Sequence, residues 1–364
     1  MRGRPRYTGE GKRDNVATMP SDSNVYNRVP YPSLAFVQTH PDRLAVMAKL
    51  FGMSPPSVEH CRVLEIACGN GSNLIPMAYG LPGSEFVGVD LAAKPVEMAQ
   101  GRISRLGLTN IRIEAMDLLE IEPDFGEFDY IIAHGVLAWV PEHVQEKILA
   151  ICSANLSPNG VAFVSYNTNP GGLVRKTLRE MVQFHEGRTG GAKDGSAERV
   201  KAVRDFLETL LKATDAKSPW KALLQEELKL TFSRDENVVY HDDLAEHFSP
   251  VSFAEFARRA GNCGLQFLSE AQVNDLLAPE LSEEGLGALN RLADGDLIAF
   301  QQYLDFARYR KFRQTLLCHA EVPLRRDGVL DRLGGLLVAS PMKMSLEKSD
   351  GSVEFINSRG AGTI

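Results

Sequence analysis

R-V-L-E-I-A-C-G-N-G-S-N-L-I-P occupies residues 62–76, and E-F-V-G-V-D follows at 85–90. The first apolar run has strand length, breaks at a glycine turn and passes into a helical pattern at 73–80. The second run is another strand, and it ends in a lone carboxylate. Gly69 and Gly71 allow the backbone to approach a ligand closely at the carboxyl end of the first strand. Asp90 stands where an acid reaches both hydroxyls of a ribose. A pyrophosphate fingerprint needs a third glycine three residues after Gly71, and position 74 is leucine. The stretch therefore points to a nucleoside ligand without phosphates.

S-adenosylmethionine is such a ligand. Its amino-acid end is served by the turn amides, by Asn73 and by Glu65. Asp117, after the third strand, is placed to accept the adenine amino group, with Met116, Leu118 and Leu91 flanking the nucleoside. Each feature has a plainer reading: a tight turn packing strand on helix, Asp90 as an N-cap for 93–106, and Asp117 as a surface helix cap. The fourth strand ends in A-H-G-V-L-A-W-V-P at 133–141, which brings His134 and Trp139 to the mouth of the cleft. His134 either takes a proton from the acceptor or lines the methionine arm through its backbone. Trp139 either packs in the core or lays its ring beside a sulfonium, a contact worth roughly 0.5–2 kcal/mol. Tyr166 and Asn167, ending the fifth strand, are expected to face the same cleft, and Tyr31 to close near the sulfonium.

Further strand candidates lie at 111–115, 128–133, 161–166, 265–268 and 315–321, and helices near 95–106 and 141–156 alternate with the earlier ones. That alternation of near-continuous apolar strands with helices is the pattern of a parallel sheet covered on both faces. The expected fold class is α/β, a Rossmann-like seven-stranded sheet with helical insertions. The expected organisation is a disordered basic lead at 1–23, with Met19 as an alternative start, and an N-terminal cap segment at 24–60. A binding core at 61–169 and a helical insertion at 170–248 follow. The sheet is completed over 249–321, with a helical insert at about 275–312, and 322–364 is a C-terminal extension that stops as a fragment would. T-H-P-D at 39–42 predicts a helix with Thr39 as N-cap. S-F-A-E at 252–255 is a capping box. Helices are expected at 173–187, 196–213 and 219–230, one long helical stretch at 284–312, and a Gly-rich link at 187–195. His241 and His247 fall in an acidic stretch expected to be a solvated loop, with a metal site as the lesser alternative.

The formal charge of −7 over 364 residues argues against a nucleic-acid partner. No apolar run approaches the roughly 18 residues of a membrane span. None of the five cysteines forms a C-x-x-C pair, which suggests reduced thiols, a cytoplasmic setting and no metal site. Oligomeric state is left open.

V-L-E-I-A-C-G-N-G at 63–71 resembles the first motif of class I S-adenosylmethionine-dependent methyltransferases, with Ala67 in place of its first glycine. T-H-P-D-R-L-A (39–45), N-L-I-P-M-A (73–78), A-H-G-V-L-A-W-V-P (133–141), V-S-Y-N-T-N-P-G (164–171) and F-R-Q-T-L-L-C-H (312–319) resemble, in order, the members that carry a methyltransferase regulatory domain. Those members usually have Tyr-Ser where this chain has Leu137 and Ala138. The resemblance extends to rickettsial enzymes that methylate lysines of outer-membrane proteins and are longer at the C-terminus. It implies an enzyme that moves a methyl group from S-adenosyl-L-methionine to a protein lysine. A small-molecule N- or O-methyltransferase is the alternative, and a non-catalytic S-adenosylmethionine-binding regulatory module is a third reading. Whichever acceptor applies, no strong acid–base dyad is visible among the residues.

Overall fold

The apolar runs become five parallel strands, β1 (Arg62–Ile66), β2 (Glu85–Asp90), β3 (Ile111–Ala115), β4 (Phe128–Ala133) and β5 (Leu156–Asn167). They belong to a computed structural model that describes residues 25–363, apart from 33, 191–195, 246, 335, 337–342, 348–352 and 358–359. Two later strands, β6 (Leu265–Glu270) and β7 (Phe312–His319), finish the sheet in the order β3-β2-β1-β4-β5-β7-β6, with β7 antiparallel to both neighbours. The chain builds outward from β1 to β3, then returns to lay β4 on the other side of β1. That reversal leaves a crevice at the carboxyl edge between β1 and β4, where open α/β sheets bind ligands.

Period-2 alternation sorts the side chains onto two faces. Val63, Phe86, Tyr130, Ile132, Val161 and Phe163 point one way, into a layer with Leu44, Met47, Leu74, Ile75 and Val96. These come from α2 (Pro41–Leu50), α3 (Leu74–Gly80) and α4 (Ala93–Leu106), which follow the short α1 (Val25–Arg28). Leu64, Ile66, Val87, Val89, Ile131, Ala162 and Val164 point the other way. They meet α5 (Glu142–Ala154) and, further along the chain, the helix opened by the capping box, where Ser252 accepts from the Glu255 N–H at 3.3 Å.

Between β5 and that box lie α6 (Gly171–Thr189), α7 (Ser196–Ala213), α8 (Pro219–Phe232) and α9 (Glu236–Asp243). This insertion has its own core, with Leu178, Val182, Val200, Val203, Leu207, Leu224, Leu228 and Val239 buried together. Each such side chain contributes about 1.5–3 kcal/mol, against about 0–1 for an exposed ion pair. The insertion is therefore held by its own apolar interior. The remaining helices are α10 (Phe253–Asn262), α11 (Val273–Leu277), α12 (Glu283–Ala293) and α13 (Leu297–Ala307). Arg313 of β7 is fully buried and ties α13 to β6 through Asp305 at 2.8 Å and Glu270 at 2.6 Å, its guanidinium 3.8 Å from the Phe253 ring.

Three expectations are corrected here. The stretch at 284–312 is two helices, because Asp294 and Gly295 turn left-handed between them. The N-cap of α2 is His40, whose Nδ1 accepts from the Asp42 N–H at 3.2 Å, while Thr39 is fully buried and bonded elsewhere. The acidic stretch around His241 is α9, with His241 buried, because Asp242 and Asp243 are neutralised by arginines. Strands Lys343–Glu347, Val353–Asn357 and Gly360–Thr363 form a separate antiparallel sheet in the C-terminal extension. The basic lead at 1–23 and residues 191–195 of the Gly-rich link lie outside the described residues.

Candidate cofactor and acceptor site

The turn after β1 is made of left-handed residues: Ala67 (φ 58°), Gly69 (φ 55°) and Gly71 (φ 72°). Gly71 needs to be glycine on a second count, since a Cβ there would lie 2.6 Å from Ile113 Cδ1. Asp90 fixes the turn. Its carboxylate accepts from the Gly69 N–H at 2.8 Å through one oxygen and from the Ala92 N–H at 2.8 Å through the other. Burial raises the Asp90 pKa, opposed by those two N–H groups. The second bond lies ahead of α4, whose N-cap is Ala92 without a side-chain cap, so Asp90 is not the N-cap weighed from the sequence. A carboxylate has about four lone-pair positions, so both bonds and a ribose are compatible.

Glu65 shares its sheet face with Val63 and is buried. Oε1 accepts from Asn73 Nδ2 at 2.7 Å, whereas Oε2 is buried without a hydrogen-bond partner among the described residues. Burial raises its pKa to about 8, with the charge of Asp90 adding and the Asn73 amide opposing. An unfilled buried carboxyl oxygen beside a glycine turn is an acceptor for a cation, and the amino group of S-adenosylmethionine fits it. Asn73 has no polar atom to spare for a ligand's first shell of contacts. Its amide nitrogen also donates to Thr39 Oγ1 at 3.0 Å, and its oxygen accepts from the Phe36 N–H at 2.9 Å. It thus ties the N-terminal segment to Glu65.

His134 follows β4 on the face that carries Glu65 and Asp90. Nδ1 lies 2.6 Å from Ser165 Oγ, which also accepts from the Gly135 N–H at 2.8 Å. The rings of Phe36 (4.0 Å), Phe163 (5.6 Å) and Phe312 (6.3 Å) surround the imidazole edge-on. Burial pushes its pKa down to about 4, so it is neutral at physiological pH and a weak base.

Tyr166 is a correction. It stands on the opposite face from Ser165, stacked on Phe256 at 4.2 Å with its hydroxyl 3.2 Å from Thr315 Oγ1. Alternation along V-S-Y-N sends Ser165 to the cleft and Tyr166 to the core, and Ser165 is the residue the sequence reading missed. Trp139 is also corrected: its ring meets Phe248 at 4.9 Å, and the guanidinium groups of Arg175 and Arg179 lie over it at 5.3 and 5.5 Å. Its cation partners are these arginines. Asn167 is buried in β5. Asp117 Oδ1 accepts from the Leu119 N–H at 2.9 Å, the capping alternative, while Leu118 packs on the second core layer and Leu91 is 64% exposed.

The N-terminal segment reaches both the core and the insertion. Asn27 Oδ1 accepts from the Lys94 N–H at 3.1 Å, and Val29 O lies 2.8 Å from His241 Nε2. Tyr26 stacks on His241 at 4.3 Å, and Tyr31 donates to Asp242 Oδ1 at 3.3 Å. Tyr26, more than Tyr31, feels Asp90: its pKa rises to about 12 through burial, then Asp242, then Asp90. Asp242 and Asp243 in turn hold Arg175 and Arg234. Among the described residues no cluster of three His, Cys, Asp or Glu is arranged for a metal, and no helix is long and apolar enough to cross a membrane.

Comparison with known proteins bears on this geometry. Residues 63–160 match the family model of a methyltransferase domain, and residues 235–319 match that of a predicted methyltransferase regulatory domain. Protein RP789 of Rickettsia prowazekii is 36% identical over 314 residues, covering 84% of this chain and 55% of that protein. Protein RP028 of the same organism is 37% identical over 235 residues, covering 65% of this chain and 93% of that protein. The solved PKMT2 of Rickettsia typhi superposes with a TM-score of 0.79 at 32% identity, over 92% of this chain and 65% of that one. Its complex with AdoHcy gives a TM-score of 0.78 at 33% identity, over 90% and 63%. The chain thus spans little more than half of RP789 and under two thirds of PKMT2.

Proposed function

Because the chain belongs to the S-adenosylmethionine-dependent methyltransferases that carry a methyltransferase regulatory domain, we propose that its methyl acceptor is a lysine side chain of a protein. The observation that carries the cofactor half of the reading is the unfilled Glu65 Oε2 beside the glycine turn. The likeness to PKMT2 over 92% of the chain supports the acceptor half.

When bound, S-adenosylmethionine supplies an electrophilic methyl group on a sulfonium leaving group. Glu65 takes the amino group, the glycine turn at 67–71 lies along the methionine arm, and Asp90 takes the ribose. Asp117 takes the adenine amino group, with Leu91 and Leu118 at its edge. His134 lines the methionine arm as a neutral ring. A protonated imidazole there would repel the sulfonium, and burial among three phenylalanines keeps it uncharged. Since the leaving group needs no protonation, catalysis rests on orientation, on excluding water and on loss of a proton from the acceptor ammonium to solvent, which frees the nitrogen lone pair for attack. The insertion at 170–248 roofs the acceptor side of the cleft, and the segment at 24–60 caps the cofactor side.

Incubation with methyl-labelled S-adenosylmethionine and a cell lysate, split into protein and small-molecule fractions, tests the reading. Label is expected in protein, on lysine. Label confined to the small-molecule fraction overturns the lysine assignment and leaves the methyltransferase.

A further inference from the structure

The sheet edge fixes where an acceptor must enter. Asp90 is on β2, Glu65 on β1 and His134 after β4, so the cofactor groups run along the edge toward β5. The next positions are the end of β5 and the start of β7, and there the chain from α13 into β7 packs on the segment that leaves β5. Thr168 N–H donates to Lys311 O at 3.0 Å, and Gly171 N–H donates to Arg310 O at 2.9 Å. The approach is close enough that a Cβ on Gly171 would sit 2.4 Å from Lys311 Cγ. Phe312, the next residue, lies against His134.

This junction carries a polar cluster that the cofactor site does not use. Lys311 Nζ donates to Glu227 Oε1 at 2.5 Å, and Tyr309 OH donates to the same oxygen at 3.3 Å. Glu227 lies on α8 among Leu224 and Leu228 of the insertion's core and is buried, while the Lys311 side chain is 39% exposed. Both of these bonds go to Oε1 of Glu227. Tyr309 is left-handed at φ 48°, a conformation that costs a non-glycine residue about 1–3 kcal/mol and gathers at functional sites. A buried acid on the insertion, a strained tyrosine and a half-exposed lysine thus meet at the edge of the acceptor cleft.

We propose that Glu227 and Tyr309 form the binding site for the ammonium group of the acceptor, with Lys311 as its occupant in the free chain. The inference rests on the lysine reading above and deepens it. The group already seated on Glu227 is a primary alkylammonium, the same group that a lysine acceptor presents. A carboxylate or phosphate acceptor would meet the charge of Glu227 at close range. The acceptor ammonium takes Oε2, or displaces Lys311 from Oε1, and either arrangement leaves its nitrogen on the β5–β7 side of His134. Glu227 is a positioning and specificity residue.

The test uses poly-L-lysine as probe, with methyl-labelled S-adenosylmethionine and the whole chain. Glu227→Gln is expected to raise KM for poly-L-lysine at least about tenfold, the scale of one lost charge-assisted hydrogen bond. Its calorimetric affinity for S-adenosylhomocysteine should stay within about twofold of the parent, which also reports that it has folded. Lys311→Met is expected to lower KM, a direction that general damage does not produce. An unchanged KM in Glu227→Gln, or a raised one in Lys311→Met, overturns this site while the lysine reading stands. A parent chain that labels small molecules and leaves poly-L-lysine unlabelled overturns the lysine reading, and this site with it.

Discussion

The two ends of the cleft are made of different materials. At the cofactor end the scaffold is backbone: three left-handed residues in five, pinned by Asp90 across the β1–β2 pair. At the acceptor end it is side chains brought from afar, Lys311 and Tyr309 on Glu227. A backbone cradle tolerates little change and suits a ligand that never varies. Side-chain clusters can be exchanged without disturbing the sheet, so one cofactor site can serve different acceptors. Substitutions at the two ends should therefore separate cofactor affinity from acceptor affinity.

The largest effect is expected from Asp90→Ala. It removes the proposed ribose acceptor, the bond to Gly69 that holds the turn and the bond to Ala92 after β2. Affinity for S-adenosylhomocysteine should fall by about 100-fold or more in calorimetry, on the scale of two charge-assisted hydrogen bonds. An unchanged affinity would place the cofactor elsewhere and dissolve the contrast between the two ends.

Glu65 gives a smaller, pH-dependent effect. Its carboxyl sits at about 8 in the free chain, so at pH 7 it is mostly protonated. A cationic ligand pairs with the ionised form, so binding expels a proton. Affinity for S-adenosylhomocysteine should therefore rise as pH goes from 6 to 8, by up to about tenfold per unit, and level off above. Calorimetry at pH 7 in two buffers of different ionisation enthalpy reads the released proton directly. The sign for folding is opposite. A carboxyl raised from 4.5 to about 8 contributes stability below 4.5 that is lost as pH climbs through 8. Melting of the free chain should weaken across that window, and Glu65→Gln should flatten both profiles. No proton release in the parent chain would show that the unfilled oxygen is not where the amine binds.

The same division explains what could be read from the residues alone. The cofactor end was legible because its parts are local: a strand, a glycine turn and an acid within 62–90, and a leucine at 74 where a phosphate site needs glycine. Most strands were legible for the same reason. The acceptor end was not, because Glu227 and Tyr309 acquire their proposed roles only through each other and Lys311, far apart in the chain; Ser165 was missed likewise because its partner is His134. Tyr166 was misplaced although period-2 alternation along V-S-Y-N already separates it from Ser165. Trp139 was misplaced because two arginines from α6 cover its ring, and nothing near residue 139 announces them. The helix around His241 was hidden because its acidic residues look solvated until Arg175 and Arg234 fold against them.

The smallest effect probes the backbone end at its weakest point. Ala67 holds a left-handed conformation, φ 58°, at the place where related turns carry glycine, and it is exposed. An L-residue there costs roughly 1–2 kcal/mol relative to its preferred conformation. Glycine would remove that strain but add about 0.5–1 kcal/mol of unfolded-state entropy. The balance favours Ala67→Gly by about 0.5–1 kcal/mol, a rise in melting temperature of a few degrees at most for a chain of this size. Because the methyl group faces solvent and the turn is pinned at Gly69 by Asp90, affinity for S-adenosylhomocysteine should remain within about twofold. A stabilised variant with intact binding would mean that the cradle is set by Gly69, Gly71 and Asp90, with residue 67 merely enduring its shape. A stabilised variant with weakened binding would mean that the strained alanine stiffens the cradle. The backbone end would then depend on a second side chain besides Asp90.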